Sequence, residues 1–422
     1  MLDRLFFICL IINGTSLYSY LAFLSGTKIS DVSIVLLILQ SVYIILKTRE
    51  TISIILKTQT ALWFLFIVVW PLATISYSSS YGVDDIGLAF YYFTLLLGTM
   101  IYISSVGFKK IFRILTISIG ITLIGMIASY VNPRLFDGIA AISGGKTEFY
   151  GRPFGLFMQP NILATAIILL FIGWFALLQK RNRTLEIIIL ITFLAIILFT
   201  GSRLGILGAG LAIAISFSYS SFKRLINGEL FIRLLLVSFC LLLVVITARQ
   251  IIPNLKPSGT SVTAGLTERM DWVLNFRLTS GEKISESGSF TVRRQAQNNY
   301  WEHIKKRPLL GHGFDTEHQY LSNEIFTSSA HSQFLSSAFE YGIPYSIFFV
   351  FLISLIYCDH RKNNVQKVLG TNTILQFSVI TIFFFILGGL FEHRLFYIVL
   401  GIILSLYQLK QDKYKNDQSN NS

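Results

Sequence analysis

Three groups of residues have the types and positions needed to hold a charged leaving group and take up a proton. The first is Arg203, in Thr200-Gly201-Ser202-Arg203-Leu204-Gly205 between two apolar stretches. A guanidinium stays protonated at any working pH and offers paired N–H groups to a phosphate. The flanking glycines let the backbone approach a ligand closely. An arginine at such a boundary equally fits a side chain that snorkels to the membrane interface. The second is Arg293-Arg294, which opens a helix-like stretch. Adjacent residues on a helix point in different directions, so at most one of the two faces a shared site and the other is solvated.

The third is His331 in Ser328-Ser329-Ala330-His331-Ser332-Gln333-Phe334-Leu335, where a polar segment gives way to an apolar helix. Histidine is the usual general base near neutral pH, although a polar residue at a helix entry needs no chemistry to explain it. His312 and His318 lie in the same polar segment and are rivals for the role. Metal chemistry has little support. His303, His312, His318 and His331 are irregularly spaced, no HExxH or DxD-like motif occurs, and Asp84-Asp85 is a bare pair. No glycine-rich phosphate loop of Walker type is present, so no cofactor is expected.

The elements that position these residues are membrane helices. The chain is 53% hydrophobic with 14% charged residues, and its mean hydropathy is +0.63, outside the range of soluble domains. A hydrocarbon core of about 30 Å takes about 20 apolar residues per helix. Apolar windows predict twelve spans: 4–24, 29–46, 61–77, 86–107, 111–131, 158–178, 185–200, 203–220, 230–252, 331–357, 371–388 and 390–409. The first is read as a retained helix, because no small-residue cleavage site follows it. The seventh and eighth are separated only by Thr200-Gly201-Ser202 and form either a tight hairpin or one broken helix.

A net charge of +13 would suggest nucleic acid in a soluble protein, but here it sits in short loops, and no nucleic-acid partner is expected. With twelve spans, eighteen Lys and Arg fall on one side, including Lys109-Lys110, Lys180-Arg181 and Arg361-Lys362. The other side's short segments hold six: Lys28, Arg134, Lys146, Arg152, Arg203 and Arg394. The first side is therefore cytoplasmic, with both termini there. Counting the hairpin as one span would put Arg361 to Lys367 outside. Residues 1–252 then carry helices 1–9, 253–330 form one large outer loop between helices 9 and 10, and 331–409 carry helices 10–12. The 410–422 tail is polar, Asn- and Lys-rich, and expected to be disordered. Outer residues 132–157 are Gly-rich and include Gly151-Arg152-Pro153. The large loop is expected to become helical near Arg293 to Lys306 and to break at Pro308-Leu309-Leu310-Gly311-His312-Gly313. Cys9, Cys240 and Cys358 lie in or beside apolar stretches and read as small apolar side chains.

Four of these stretches together resemble the bacterial O-antigen ligase/polymerase superfamily. Gly155 to Ala164, with Gln159-Pro160-Asn161 at its centre, is similar to the family's Asn-containing entry to a middle helix. Thr200-Gly201-Ser202-Arg203 resembles its Ser-Arg turn. Arg293 precedes Pro308-Leu309-Leu310-Gly311-His312-Gly313 by the family's arginine-to-PLLGxG spacing. Ala330-His331-Ser332-Gln333-Phe334-Leu335 with Glu340-Tyr341-Gly342 resembles its AHNxxL…ExG segment, with Ser332 where the family often has Asn. The likeness spans roughly residues 150–350.

This resemblance implies an all-α, GT-C-like polytopic protein of the bacterial inner membrane with its site facing the periplasm. It implies inverting, metal-independent transfer of a glycan from undecaprenyl pyrophosphate, with Arg203 and Arg293 on the pyrophosphate and His331 as base. Arg152, Asn161, Arg294 and His312 are further candidate contacts. The acceptor it implies first is a lipid A–core sugar, as in a ligase; the alternative is a lipid-linked repeat, as in an O-antigen or capsule polymerase. Gln159-Pro160-Asn161 is reminiscent of the protein-modifying oligosaccharyltransferase branch, for which the chain looks short. A lipid-linked glycan flippase is the reading from a different class. It would favour internal repeats and midplane charges, whereas here charge gathers at one edge and in one loop.

Overall fold

The computed structural model describes residues 2–75, 78, 83–132, 136, 154–157, 159–177, 183–221, 288–314, 316–323, 325–326, 329–330, 332–362, 371–390 and 393–419. Every regular element among them is helical. In chain order these are α1 (Leu2–Gly14), α2 (Leu17–Ser25), α3 (Ile29–Leu46), α4 (Thr48–Ile55), α5 (Thr58–Phe64), α6 (Trp70–Thr74), α7 (Val83–Val106), α8 (Phe108–Val131) and α9 (Pro160–Leu177). There follow α10 (Arg183–Thr200), α11 (Arg203–Ser221), α12 (Gly288–Lys306), α13 (Thr316–Ser322), α14 (Gln333–Tyr341), α15 (Ile343–Lys362), α16 (Thr371–Leu387) and α17 (Arg394–Ser419). The expected ninth span, 230–252, lies outside the described residues, as does most of 132–157.

The helices sort by what surrounds them. Every described side chain from His393 to Leu406 of α17, and nearly every one from Leu163 to Gly173 of α9, is buried. A helix that is apolar on all sides belongs at the centre of a bundle. Around these two pack α7, α8, α11 and α16. Close approach depends on small residues: a Cβ at Gly401 of α17 would lie 3.0 Å from the Leu96 carbonyl oxygen of α7, and one at Gly205 of α11 would lie 2.6 Å from Ala164 Cβ of α9. The periphery is the reverse of a soluble surface. Ile38 and Ile45 of α3 and Ile124 and Val131 of α8 are among many exposed large apolar residues, a coat that suits lipid.

Three helices among the described residues are long and apolar enough to cross a bilayer: Ile29–Leu46, Ile86–Val106 and Phe108–Val131. Shorter apolar helices, such as Pro160–Trp174, Ile343–Cys358, Ile374–Leu387 and Arg394–Leu406, pack with them. Their bounds follow the predicted spans closely in several places, and the differences have local causes. The span expected over 4–24 is two helices bent by 99°. The bend occurs at Ser16, which adopts φ 58 after the Thr15 hydroxyl has bonded back to the Ile11 carbonyl at 2.8 Å. The span expected over 331–357 divides at Gly342, φ 88, into α14 and α15. The helical run over 58–74 carries a π-turn at Leu65–Val69 just before Pro71. A proline removes an N–H and crowds the carbonyl four residues back, and a widened turn relieves both.

Residues 183–221 are two helices, α10 and α11, joined through Gly201 at φ 60. They pack on each other and both touch α9, the hairpin arrangement rather than a broken rod. The tail, expected to be disordered after Leu409, continues α17 to Ser419. No Gly or Pro interrupts Leu406 to Ser419, and the Lys and Gln residues there are good helix formers.

Arg394, expected as a short-loop charge, is instead 6% exposed at the start of α17. Its guanidinium donates to Tyr91 Oη at 2.7 Å, Asn13 Oδ1 at 3.3 Å and Ser33 Oγ at 2.6 Å. It also lies over the Tyr18 ring at 3.5 Å. Tyr91 is eight residues into α7, about 12 Å at 1.5 Å rise per residue, so the cation sits inside the bundle rather than at its edge.

Candidate functional site

The entry to α9 and the turn before α11 meet through side chains. The Ser202 hydroxyl donates to Asn161 Oδ1 at 2.9 Å and accepts from the Gly205 amide at 3.1 Å, capping α11. Thr200, fully buried, accepts from the Ser202 amide at 3.2 Å. Residues 154–157, just before α9, are pinned to α8: Ser129 Oγ accepts from the Phe154 and Gly155 amides at 3.1 and 2.9 Å. Arg203 is the first residue of α11; its side chain lies outside the described residues.

In the large loop, α12 shows which of the paired arginines belongs to the packed face. Ala296, Tyr300 and Ile304 are buried, and α12 packs on α14. Positions 293, 296, 300 and 304 share one stripe of the helix, whereas Arg294 is exposed. Backbone position 293 therefore falls on the side turned to α14. The helix ends at Lys306, as expected from Pro308.

The Pro308–Gly313 turn docks on the end of α14. His312 N donates to the Phe339 carbonyl at 2.8 Å, Gly313 N to that of Glu340 at 2.9 Å, and Ile343 N to that of Pro308 at 2.8 Å. Gly311 and Gly342 have φ 69 and 88, and a Cβ on either would collide with a carbonyl, of Glu340 and Leu309 respectively. Only glycine meets both demands.

His312 is held as a structural group. Its Nε2 lies 3.0 Å from the His303 carbonyl, an acceptor only, so Nε2 carries the proton. The ring stacks on Phe339 with centroids 4.6 Å apart, and burial, with help from Arg307 and Lys306, lowers its pKa.

The segment around His331 is anchored on both sides. Ala330 is buried; Ser332 caps α14, accepting from the Leu335 amide at 3.4 Å and donating to the Ile386 carbonyl at 2.6 Å. Ser332, where the family often has Asn, thus both donates and accepts. Next to it, Gln333 N donates to the Gly388 carbonyl at 2.7 Å. Gly388 in turn approaches α11, since a Cβ there would lie 2.7 Å from Leu204 Cδ2. The neighbours of His331 and of Arg203 therefore border the same glycine at the end of α16. His331 and Arg152 lie outside the described residues, as do the side chains of Arg293 and His318.

Sequence reasoning missed Glu317. This carboxylate accepts from the Tyr300 hydroxyl at 2.6 Å and the Ser336 hydroxyl at 3.1 Å, and the nearby Ala330 backbone amide favours its charged form. Burial raises its pKa above the ordinary carboxylate range. Its partners come from three separate stretches, and no local motif marks it. Arg394 was missed differently: it was counted as a loop charge, although it directly precedes an apolar run. Among the described residues no group of three His, Cys, Asp or Glu could hold a metal ion.

Neither the curated proteins nor the solved structures contain a match to this chain. A family model described as O-antigen ligase matches residues 188–350. The match takes in the Ser202-Arg203 turn, α12, the Pro308–Gly313 turn and α14, and stops short of Asn161, which the structure joins to it through Ser202. Residues 188–350 are thus similar to the O-antigen ligase family, which supports the likeness to the O-antigen ligase/polymerase superfamily and, in general terms, a ligase- or polymerase-type function.

Proposed function

We propose that the chain is an inverting, metal-independent glycosyltransferase that moves a glycan from undecaprenyl pyrophosphate to a sugar hydroxyl of lipid A–core, at the periplasmic face of the inner membrane. The observation that carries this reading is the convergence at Gly388. There the residue after His331's neighbour and the residue after Arg203 meet across a single glycine, while α12 brings position 293 to the same packed helix.

The step balances without a cofactor. The acceptor oxygen attacks the anomeric carbon as its proton passes to the His331 imidazole. The bond from the anomeric carbon to the pyrophosphate oxygen breaks on the opposite face, and undecaprenyl pyrophosphate leaves with the electron pair. Arg203 and Arg293 offset the charge that develops on that oxygen, where fixed donors act most strongly. Asn161 supports the Arg203 turn rather than the reacting atoms.

The test is transfer in cells that lack their own copy and make both substrates. Pre-assembled glycan on lipid A–core with the unaltered chain, and none with His331→Ala, is the expected result. Elongation of the glycan on its undecaprenyl carrier, with no lipid A–core product, would assign the acceptor to lipid-linked repeats. Equal transfer by both chains would remove the base and the reading with it.

A further inference from the structure

Glu317, half-buried, is a charge-bearing side chain at which described segments between α12 and α14 are tied together. Tyr300 reaches it from α12, seven residues and two turns after position 293 on the same stripe. Ser336 reaches it from α14, and the Ala330 amide, which faces both Glu317 and Tyr300, lies beside it in the segment that leads directly into His331. Its own amide donates to Glu340 Oε1 at 3.3 Å. The rest of the knot is apolar: Tyr300 stacks on Phe326 with centroids 4.1 Å apart, and Phe339 packs edge-on to both.

We propose that Glu317 is a positioning residue for the transfer, holding the Ala330–Ser332 backbone in register with α12 and so fixing the base against the pyrophosphate-binding arginine. This inference rests on the reading of His331 and Arg293 given above and adds a residue to it. The physical argument concerns acceptors. An ionised carboxylate has enough lone pairs to accept from Tyr300, Ser336 and Ala330 together. Once protonated it carries a donor hydrogen and is a weaker acceptor, so at least one of these bonds must weaken or reverse. Charge-assisted bonds of this kind are also about twice as strong as neutral ones.

The titratable groups facing Glu317 are Tyr300 of α12 and Glu340 of α14. Tyr300 is pushed to a higher pKa by burial first and then by Glu317 itself, so it stays a donor across the working range. Burial holds the Glu317 carboxyl above its usual pKa. Its ionised form is therefore lost at a higher pH than that of an exposed carboxylate.

The experiment uses the full-length chain in native membranes, following consumption of undecaprenyl-pyrophosphate-linked glycan as pH is lowered through the histidine and carboxyl ranges. Glu317→Gln should lower kcat by about 10- to 100-fold with little change in KM, the mark of misplaced reacting groups. It should also lose the part of the acid limb that belongs to the carboxyl, leaving only that of the base. Glu317→Asp should recover part of the rate. Hydrogen exchange at the Ala330 amide gives a readout apart from activity: protection should fall in Glu317→Gln, and in the unaltered chain as the carboxyl protonates. A wild-type rate in Glu317→Gln, or a reduced rate with an unaltered pH profile and unaltered Ala330 protection, overturns the proposal. His331→Ala separates the two levels. If it is inactive while Glu317→Gln behaves as wild type, only the positioning role falls; if it is active, the base assignment falls and the positioning role with it.

Discussion

Ser202 and Asn161, 41 residues apart, share a hydrogen bond of 2.9 Å between a helix-capping hydroxyl and a side-chain amide oxygen. The bond fixes the angle at which α11 leaves its turn, and so the direction of the residue that follows, Arg203.

That bond predicts coupling between the two positions. Ser202→Ala should cost about 0.5–2 kcal/mol of local stability as a lost cap and should lower transfer. Asn161→Ala should lower transfer by a similar factor, and the double variant should be no worse than the more harmful single one. Activities measured in a double-mutant cycle test this. Strictly additive losses would mean that the two residues act separately.

The arginines should separate by their place on the helix. Arg203→Lys and Arg293→Lys should each lose most transfer, since an ammonium cannot reproduce a bidentate fork. Arg294→Ala should be near normal, because Arg294 is exposed off the packed stripe. Accumulation of lipid-linked donor in cells reads all three. An inactive Arg294→Ala beside an active Arg293→Lys would reverse the assignment.

Among the histidines, His331→Ala should lower transfer by about 10²–10⁴-fold, the usual contribution of a general base. His312→Ala should act through the fold instead: it removes the bond to the His303 carbonyl and should lower the amount of folded protein more than the rate per molecule. Immunoblot and activity on the same membranes distinguish these effects. A full complement of folded His312→Ala with no activity would move the base to the Pro308–Gly313 turn.

Much of this arrangement was legible because it is encoded locally. Glycine and proline mark the ends of α10 and α12, and hydropathy locates α3, α7 and α8 to within a few residues. What was not legible depends on distant partners. The 99° bend at Ser16 is the exception: it is local, and Asn13-Gly14 just before it is a turn signal that hydropathy alone passes over. Gly342 reads as a helix interior until the Pro308 carbonyl is seen to bond just beyond it. Glu317 looks like an ordinary loop carboxylate until Tyr300, Ser336 and Ala330 are brought around it.

Arg394 should behave as a structural cation. Replacing it with Met should remove three bonds to a charged donor, each worth about 1.5–3 kcal/mol, and leave Asn13 and Tyr91 facing each other without it. The expected outcome is loss of folded protein from the membrane, with Arg394→Lys intermediate. Normal abundance with abolished transfer would instead place Arg394 in the reaction.

The same cluster bears on how the protein is made. Asn13 and Arg394 are 381 residues apart, so α1 receives one of its polar partners only after every helix between them has been synthesised. Until then Asn13, Ser33 and Tyr91 can solvate one another but have no cation to gather around. Made after its partners, α17 carries its guanidinium to groups already supplied by α1, α3 and α7. A ribosome-bound chain ending before Arg394 should therefore hold α1, α3 and α7 more loosely and be cleaved faster by protease than one that extends past it, so that closure of the cluster comes late in synthesis.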